Sequence, residues 1–191
     1  MPISYEHNLI FIHVPKNAGT SITEAFEMVV GVGHFPTARY IRDYPREWKT
    51  FYKFCVVRNP WDRFVSCYEY AKMEKSYFHA VRGPSKQGKH PDYDLLFDKS
   101  FEECVDLLFA KKLGHAGWQP QSNWVCNGGD FILDEFIKLE KLPNSFRGVK
   151  IPHLNRSIEK DYKTYYNNYT MEKVRDFYEF DIEIFDYSYE N

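Results

Sequence analysis

Lys16, Thr20 and Ser21 crowd around Gly19 in His13-Val14-Pro15-Lys16-Asn17-Ala18-Gly19-Thr20-Ser21-Ile22, where a short apolar run gives way to an amphipathic one. A strand that turns through small residues into a helix leaves the first helical N–H groups unbonded and brings the positive end of the helix dipole to the same place. An ammonium and two hydroxyls added there make an anion site best suited to phosphate, with Lys16, Asn17, Ala18, Gly19, Thr20 and Ser21 as its candidate residues. The order is not that of the common kinase loop, G-x-x-x-x-G-K-[ST], because here the lysine precedes the glycine. A second candidate follows the apolar run Phe51–Val57: Arg58 offers the planar fork of donors that matches phosphate, and Ser66, two turns into the next helix, can face the same side. Two anion sites on two turns imply a ligand with phosphate at two well-separated positions. A transfer reaction would also need a base. His34, in a Gly-flanked loop and with an ordinary pKa near neutrality, is the first candidate. His13, also readable as a structural histidine of its strand, and Glu24, also readable as a solvated helix carboxylate, are the alternatives.

The elements that must position these groups are legible from periodicity and end signals. Leu9–Val14 and Phe51–Val57 read as buried strands, and Phe131–Leu139 has strand character. Helices are predicted from Thr20 to about Val30 and from Thr37 to Arg42, the latter capped by Thr37 and ended by Tyr44-Pro45. Asn59 as cap, Pro60 at the first helical position and Asp62 in the first turn specify the helix that carries Ser66, with Phe64, Val65, Cys67, Tyr68 and Ala71 as its apolar face. Ser100 and Glu103 form a capping box for a helix to about Lys112, and Thr170 to about Tyr178 is the last predicted helix. The stretches 73–99 and 149–157 read as loops. Strands alternating with helices predict an α/β fold: one domain over residues 1–191, with a central parallel sheet flanked by helices and a P-loop-like phosphate-binding turn. Ligands of such sheets sit outside the carboxyl ends of the strands, where both turns lie.

Composition narrows the class. The net charge of -2 argues against general nucleic-acid binding, which needs a strongly basic face. The 18% of aromatic residues is high enough to ask whether they stack on a base or sugar or simply fill the core. Cys55, Cys67, Cys104 and Cys126 have no metal-ligand spacing, so no metal is expected, and they read as small buried hydrophobes in a reducing compartment. With no leader-like start and no run long enough to span a membrane, the chain reads as a soluble cytoplasmic protein without a membrane partner.

The two turns resemble those of a known family. His13 to Ile22 resembles the 5′-phosphosulfate loop of the sulfotransferases that use 3′-phosphoadenylyl sulfate (PAPS). Val57-Arg58-Asn59-Pro60-Trp61-Asp62-Arg63-Phe64-Val65-Ser66-Cys67-Tyr68 is similar to their 3′-phosphate motif, R-N-P-x-x-R-x-x-S-x-Y. The nearest branch is the carbohydrate (heparan 2-O and chondroitin-type) sulfotransferases and their bacterial relatives. Weaker likenesses are Gln121-Ser122, Lys138-Leu139-Glu140-Lys141-Leu142, Leu154-Asn155-Arg156-Ser157 and the tail Tyr178…Asp181…Phe185-Asp186-Tyr187, where Asp186 replaces a usually small residue. The resemblance implies PAPS as donor and adenosine 3′,5′-bisphosphate (PAP) as product. It implies in-line sulfuryl transfer to a hydroxyl or amine of a saccharide or small-molecule acceptor, with no metal. Lys16 would meet the 5′-phosphate and leaving oxygen, Asn17 to Ser21 the 5′-phosphate, and Arg58 and Ser66 the 3′-phosphate. Arg156 and Ser157 would close over the nucleotide. The family often carries a histidine where His34 lies.

Two other readings stay open on sequence alone: a nucleotide kinase, against which the missing GK[ST] counts, and a non-catalytic nucleotide- or glycan-binding module. The acceptor would be chosen by residues 73–99 and 113–130, whose Tyr77, Phe78, Tyr93, Trp118 and Trp124 either stack on a sugar or pack. Lys86, Lys89 and His90 form a basic cluster that would steer an anionic acceptor or is merely solvated. Arg63 reads as a salt-bridge partner on another face of its helix. The oligomeric state is not legible.

Overall fold

Leu9–Ile12 (β2) is apolar at every position and wholly buried, a pattern that suits a strand covered on both faces. The computed structural model, which describes residues 1–28, 33–75, 88–152 and 161–190, places it between Ile3–Ser4 (β1) and Tyr52–Val57 (β3), with Glu135–Lys138 (β6) beyond, in the order β1-β2-β3-β6. β2 and β3 run parallel with Phe11 opposite Phe54, and β3 and β6 run parallel with Cys55 opposite Phe136. β1 is antiparallel, Ile3 opposite Ile10. The sheet is therefore mostly parallel rather than wholly so. The few residues between Ser4 and Leu9 are too short for a crossover and allow only a hairpin.

Alternate residues of β2 and β3 feed two cores. On one face Leu9, Phe11, Phe54 and Val56 pack with Ile22 and Phe26 of the Gly19–Ala25 segment (α1). On the other, Ile10, Ile12, Cys55 and Val57 meet Tyr40 of Thr37–Asp43 (α2), Trp124 and Val125 of Ser122–Val125 (α7), and Phe185 and Tyr187 of the tail. A third core joins Pro60–Ala71 (α4), Phe101–Phe109 (α6) and Asn168–Phe177 (α8) around Phe64, Phe101, Trp118 and Tyr178. Trp118 and Trp124 are both buried, so these two rings pack and are not free to stack on a sugar.

Several boundaries differ from the sequence reading for local reasons. α1 stops at Ala25, short of Val30. The Glu27 N–H bonds to the Glu24 carbonyl and the Met28 N–H to the Thr23 carbonyl, a Schellman closure with Glu27 at φ 49° where glycine is usual. Pro45 does not simply end a helix: it opens another, Pro45–Thr50 (α3), from the first position. Thr37 does not cap α2, since its hydroxyl donates to the Cys126 carbonyl. Tyr93–Leu96 (α5) is a short turn within the irregular stretch. The predicted strand 131–139 is broken in two: its start belongs to Asp130–Phe131 (β5), which pairs with Cys126–Asn127 (β4), and the rest is β6. Ser145–Phe146 (β7) and Val149–Lys150 (β8) form a hairpin, whose second strand opens the 149–157 stretch read as loop. The tail carries one more helix, Glu179–Ile184 (α9). The capping box of Ser100 and Glu103 is present as expected. All four cysteines are free. Among the described residues no helix is long and apolar enough to cross a membrane.

Asn59 is the cap that fixes α4. Its side chain accepts from the Trp61 N–H and donates to the Ser188 carbonyl 2.9 Å away, so one residue holds the helix start and the chain terminus together. Asn59→Ala is expected to cost about 1–2 kcal/mol and to lower Tm by roughly 2–8 °C, measured by thermal denaturation.

Candidate active site

Between β2 and α1 the chain bends through two left-handed residues, Lys16 at φ 70° and Ala18 at φ 55°. Neither is glycine, and strained backbone of this kind gathers where a site needs it. Ala18 precedes α1 without any side-chain cap, so the N–H groups of the first turn have no acceptor from a capping side chain. Gly19 has a different reason to be glycine. A Cβ there would stand 1.7 Å from His13 Nε2, so the imidazole occupies the space any larger residue would fill. The His13 ring stacks on Phe11 and meets the His34 ring edge-on at 4.3 Å.

Lys16 reaches inward. Its Nζ lies 4.0 Å from the centre of the Tyr70 ring, and among the described residues it has no carboxylate within ion-pair distance. Burial, reinforced by the Arg58 and Arg63 charges and opposed only by Cys67, brings its amine down to about 8. The lysine is thus a cation in want of an anion.

Arg58 follows β3 at once. Its Nε and Nη2 donate to the two oxygens of Asp62 at 2.7 and 2.9 Å, and Nη1 makes a long bond, 3.4 Å, to the Lys16 carbonyl. This ion pair with Asp62 presents the guanidinium beside the first turn. The two turns therefore adjoin. Ser66 lies on α4 and is buried. Arg63 is not a salt-bridge partner on a solvent face: it is fully buried and donates to the carbonyls of Pro15, Gln119 and Gly117 at 3.1, 3.0 and 2.8 Å. It holds the Lys16 turn against the 116–119 segment.

The weaker family-like pieces turn up behind these turns. The buried Asp181 carboxylate accepts the Gln121 and Ser122 N–H groups; burial raises its pKa while those bonds draw it back. Gln121 reaches both turns, bonding to Asn17 Nδ2 and to the Arg58 backbone. Glu140 accepts the Asn59 N–H at 2.7 Å and the Tyr187 hydroxyl at 2.9 Å. Arg63, Asp181 and Glu140 are site residues that sequence reasoning passed over or left without a role; the motif likeness at Gln121, Glu140 and Asp181 was the available signal.

His34 donates from Nδ1 to the His13 carbonyl at 2.9 Å. A carbonyl only accepts, so in the neutral ring Nε2 carries the free lone pair. Burial lowers the pKa of His34, with the Arg63 charge adding to it, and lowers that of His13 well below the usual range. Thr20 and Glu24 are exposed on α1, and Ser21 is buried. His90 does not join a surface cluster: it is buried beside His115, its Nδ1 accepting the Asp92 N–H, while Lys89 lies over the Tyr93 ring. Arg156, Ser157, Lys86, Tyr77 and Phe78 lie outside the described residues.

The model of the sulfotransferase family matches residues 1–188. The chain belongs to the sulfotransferase family. No curated protein and no solved structure matches it. Membership makes this a transferase and favours sulfuryl over phosphoryl transfer, and sulfotransferases of this family generally take PAPS and release PAP. Among the described residues of this sulfotransferase, no three His, Cys, Asp or Glu side chains are grouped to hold a metal ion.

The contact between Gly19 and His13 gives a direct test. Gly19→Ala should displace the His13 ring and lower Tm by several degrees, the range of an overpacked core at about 1–3 kcal/mol. Adding His13→Ala should restore most of that loss, so the double-mutant cycle in thermal denaturation reads the contact itself.

Proposed function

We propose that this sulfotransferase moves the sulfuryl group of PAPS to a hydroxyl or amine of a saccharide or other small acceptor by in-line displacement, and that the two adjoining turns hold the two phosphates of the nucleotide. The observation that carries the reading is Lys16: an ammonium with no carboxylate partner among the described residues, beside Arg58 and Arg63, at the uncapped start of a helix. That donor set fits a phosphate. Placed as the family resemblance suggests, the Lys16 charge offsets the negative charge that grows on a leaving phosphate oxygen, which lowers the barrier because the interaction strengthens in the transition state. The donor, when bound, supplies the activated sulfuryl group.

The remaining roles rest on the same likeness. The N–H groups of Asn17 to Ser21, with the Thr20 and Ser21 hydroxyls, take the 5′-phosphate. Arg58, oriented by Asp62, and Ser66 take the 3′-phosphate, and the likeness also assigns Arg156 and Ser157 to the nucleotide. His34 accepts the acceptor's proton at Nε2, a role supported by its Nδ1–H bond to the His13 carbonyl and by the burial that lowers its pKa. His13 and Glu24 are the alternatives for that role. The carbohydrate branch is the nearest by motif, and the acceptor is chosen by residues 73–99 and 113–130.

Turnover of radiolabelled PAPS against a panel of hydroxyl and amine acceptors tests the activity. Lys16→Ala should abolish transfer with little loss of Tm; unchanged turnover would remove Lys16 from the mechanism. The amine also sets a pH signature. The ammonium binds the anion and the neutral amine does not, so bisphosphate affinity should fall as pH rises through about 8, approaching about tenfold per pH unit. Lys16→Arg should flatten that dependence between about pH 7 and 9.5, because a guanidinium stays charged throughout. Calorimetric titration with PAP measures both.

The 3′-phosphate contact is charge-assisted and contributes about 1.5–3 kcal/mol. Arg58→Ala should therefore weaken PAP binding by roughly 10- to 150-fold and leave adenosine 5′-phosphate binding nearly unchanged. Equal losses for the two ligands would show that Arg58 does not meet the 3′-phosphate.

A further inference from the structure

We infer that Gln121 is a positioning residue that sets the two phosphate turns at a fixed spacing, so that a bisphosphate engages both as one. This rests on the reading of the two turns given under Proposed function. Gln121 is wholly buried, and its one amide group reaches both turns. Oε1 accepts from Asn17 Nδ2 at 2.6 Å and from the Arg58 N–H at 3.0 Å, and Nε2 donates to the Arg58 carbonyl at 2.9 Å. The Lys16 turn and the Arg58 turn are thereby joined through a single planar group.

The orientation of that amide is not interchangeable. The Arg58 N–H only donates and its carbonyl only accepts, so Oε1 and Nε2 each have one place. The same logic fixes Asn17, whose Nδ2 donates to Gln121 Oε1 and to the Val56 carbonyl, both acceptors. Asn17 Oδ1 is left buried without a hydrogen-bond partner among the described residues. A buried unpaired acceptor is costly and needs a reason; here it follows from aiming Nδ2 at the link. Gln121 is itself held from behind, its N–H bonded to the Asp181 carboxylate. The link therefore has a rigid base.

The energetic consequence concerns the second phosphate. On one nucleotide the two phosphates have a spacing set by the ligand. Turns that move independently must be ordered against each other when the second phosphate lands, and that ordering reduces its gain. Turns already joined spare most of that cost. Gln121 acts on this gain through Asn17 and Arg58.

The test compares the intact chain with Gln121→Met, which keeps length and loses all three bonds, and Gln121→Glu, which keeps the acceptor but sets a second oxygen against the Arg58 carbonyl. The readout is the factor by which a 3′-phosphate tightens adenosine 5′-phosphate binding, from calorimetry with adenosine 5′-phosphate and PAP. In Gln121→Met that factor should fall about tenfold while the adenosine 5′-phosphate Kd stays within about threefold; Gln121→Glu should fall in the same direction and decides the matter if the methionine variant does not fold. Hydrogen exchange gives a second readout. Adenosine 3′-phosphate should slow exchange of the residue 16–21 amides in the intact chain and not in either variant. Equal weakening of both ligands would mean a general structural role, and an unchanged factor would mean that the turns are joined by other means; either overturns the inference. A factor near one in the unaltered chain would instead overturn the 3′-phosphate reading of Arg58, and this inference with it.

Discussion

A positive charge held partly out of water without a counterion works against folding, and among the described residues the surroundings of Lys16 supply no carboxylate to offset one. The depressed pKa of its amine reports the cost. The Tyr70 ring face gives a partial return, while the charges of Arg58 and Arg63 make matters worse. A protein selected for stability alone would place a carboxylate here. The Asp62 oxygens are taken up by Arg58, and among the described residues no carboxylate pairs with the lysine.

Holding such a charge in place requires a stiff surround, and the stiffness comes from buried polar groups bonded to backbone. Arg63 spends its guanidinium on three carbonyls, Asp181 takes two N–H groups, and Glu140 takes an N–H and a phenol. Networks of this sort rigidify when their members are satisfied. They also connect distant stretches: Pro15 to the 116–119 segment, α7 to α9, and the start of α4 to the terminus. The site is shaped mainly by pieces far from it in sequence.

That geography explains what could be read in advance. β2, β3, the start of α4 and the capping box of α6 were legible because each depends on neighbouring residues: an apolar run, Asn59-Pro60, Ser100 with Glu103. The end of α1 was not, since its closure uses Glu27 in a conformation that glycine usually marks. The antiparallel edge strand, two residues long, carries too little pattern to detect. Lys16 and Arg58 could be singled out as candidate anion binders by type and place, but that their turns adjoin needed coordinates. Arg63 was misjudged because its three partners are backbone atoms of other segments, which no side-chain pattern announces. Gln121, Glu140 and Asp181 were visible only as likenesses; their partners needed coordinates.

The sheet's brevity has a consequence for how copies of this chain meet. Its outer members are β1, of two residues, and β6, of four, the latter ending at Lys138, whose ammonium reaches across to the Asp186 carbonyl. Edges this short expose few unpaired backbone groups and make poor templates for joining another ribbon. Amyloid-like stacking from the native state is disfavoured accordingly, and self-association, where it occurs, has side-chain surfaces rather than backbone ladders to work with.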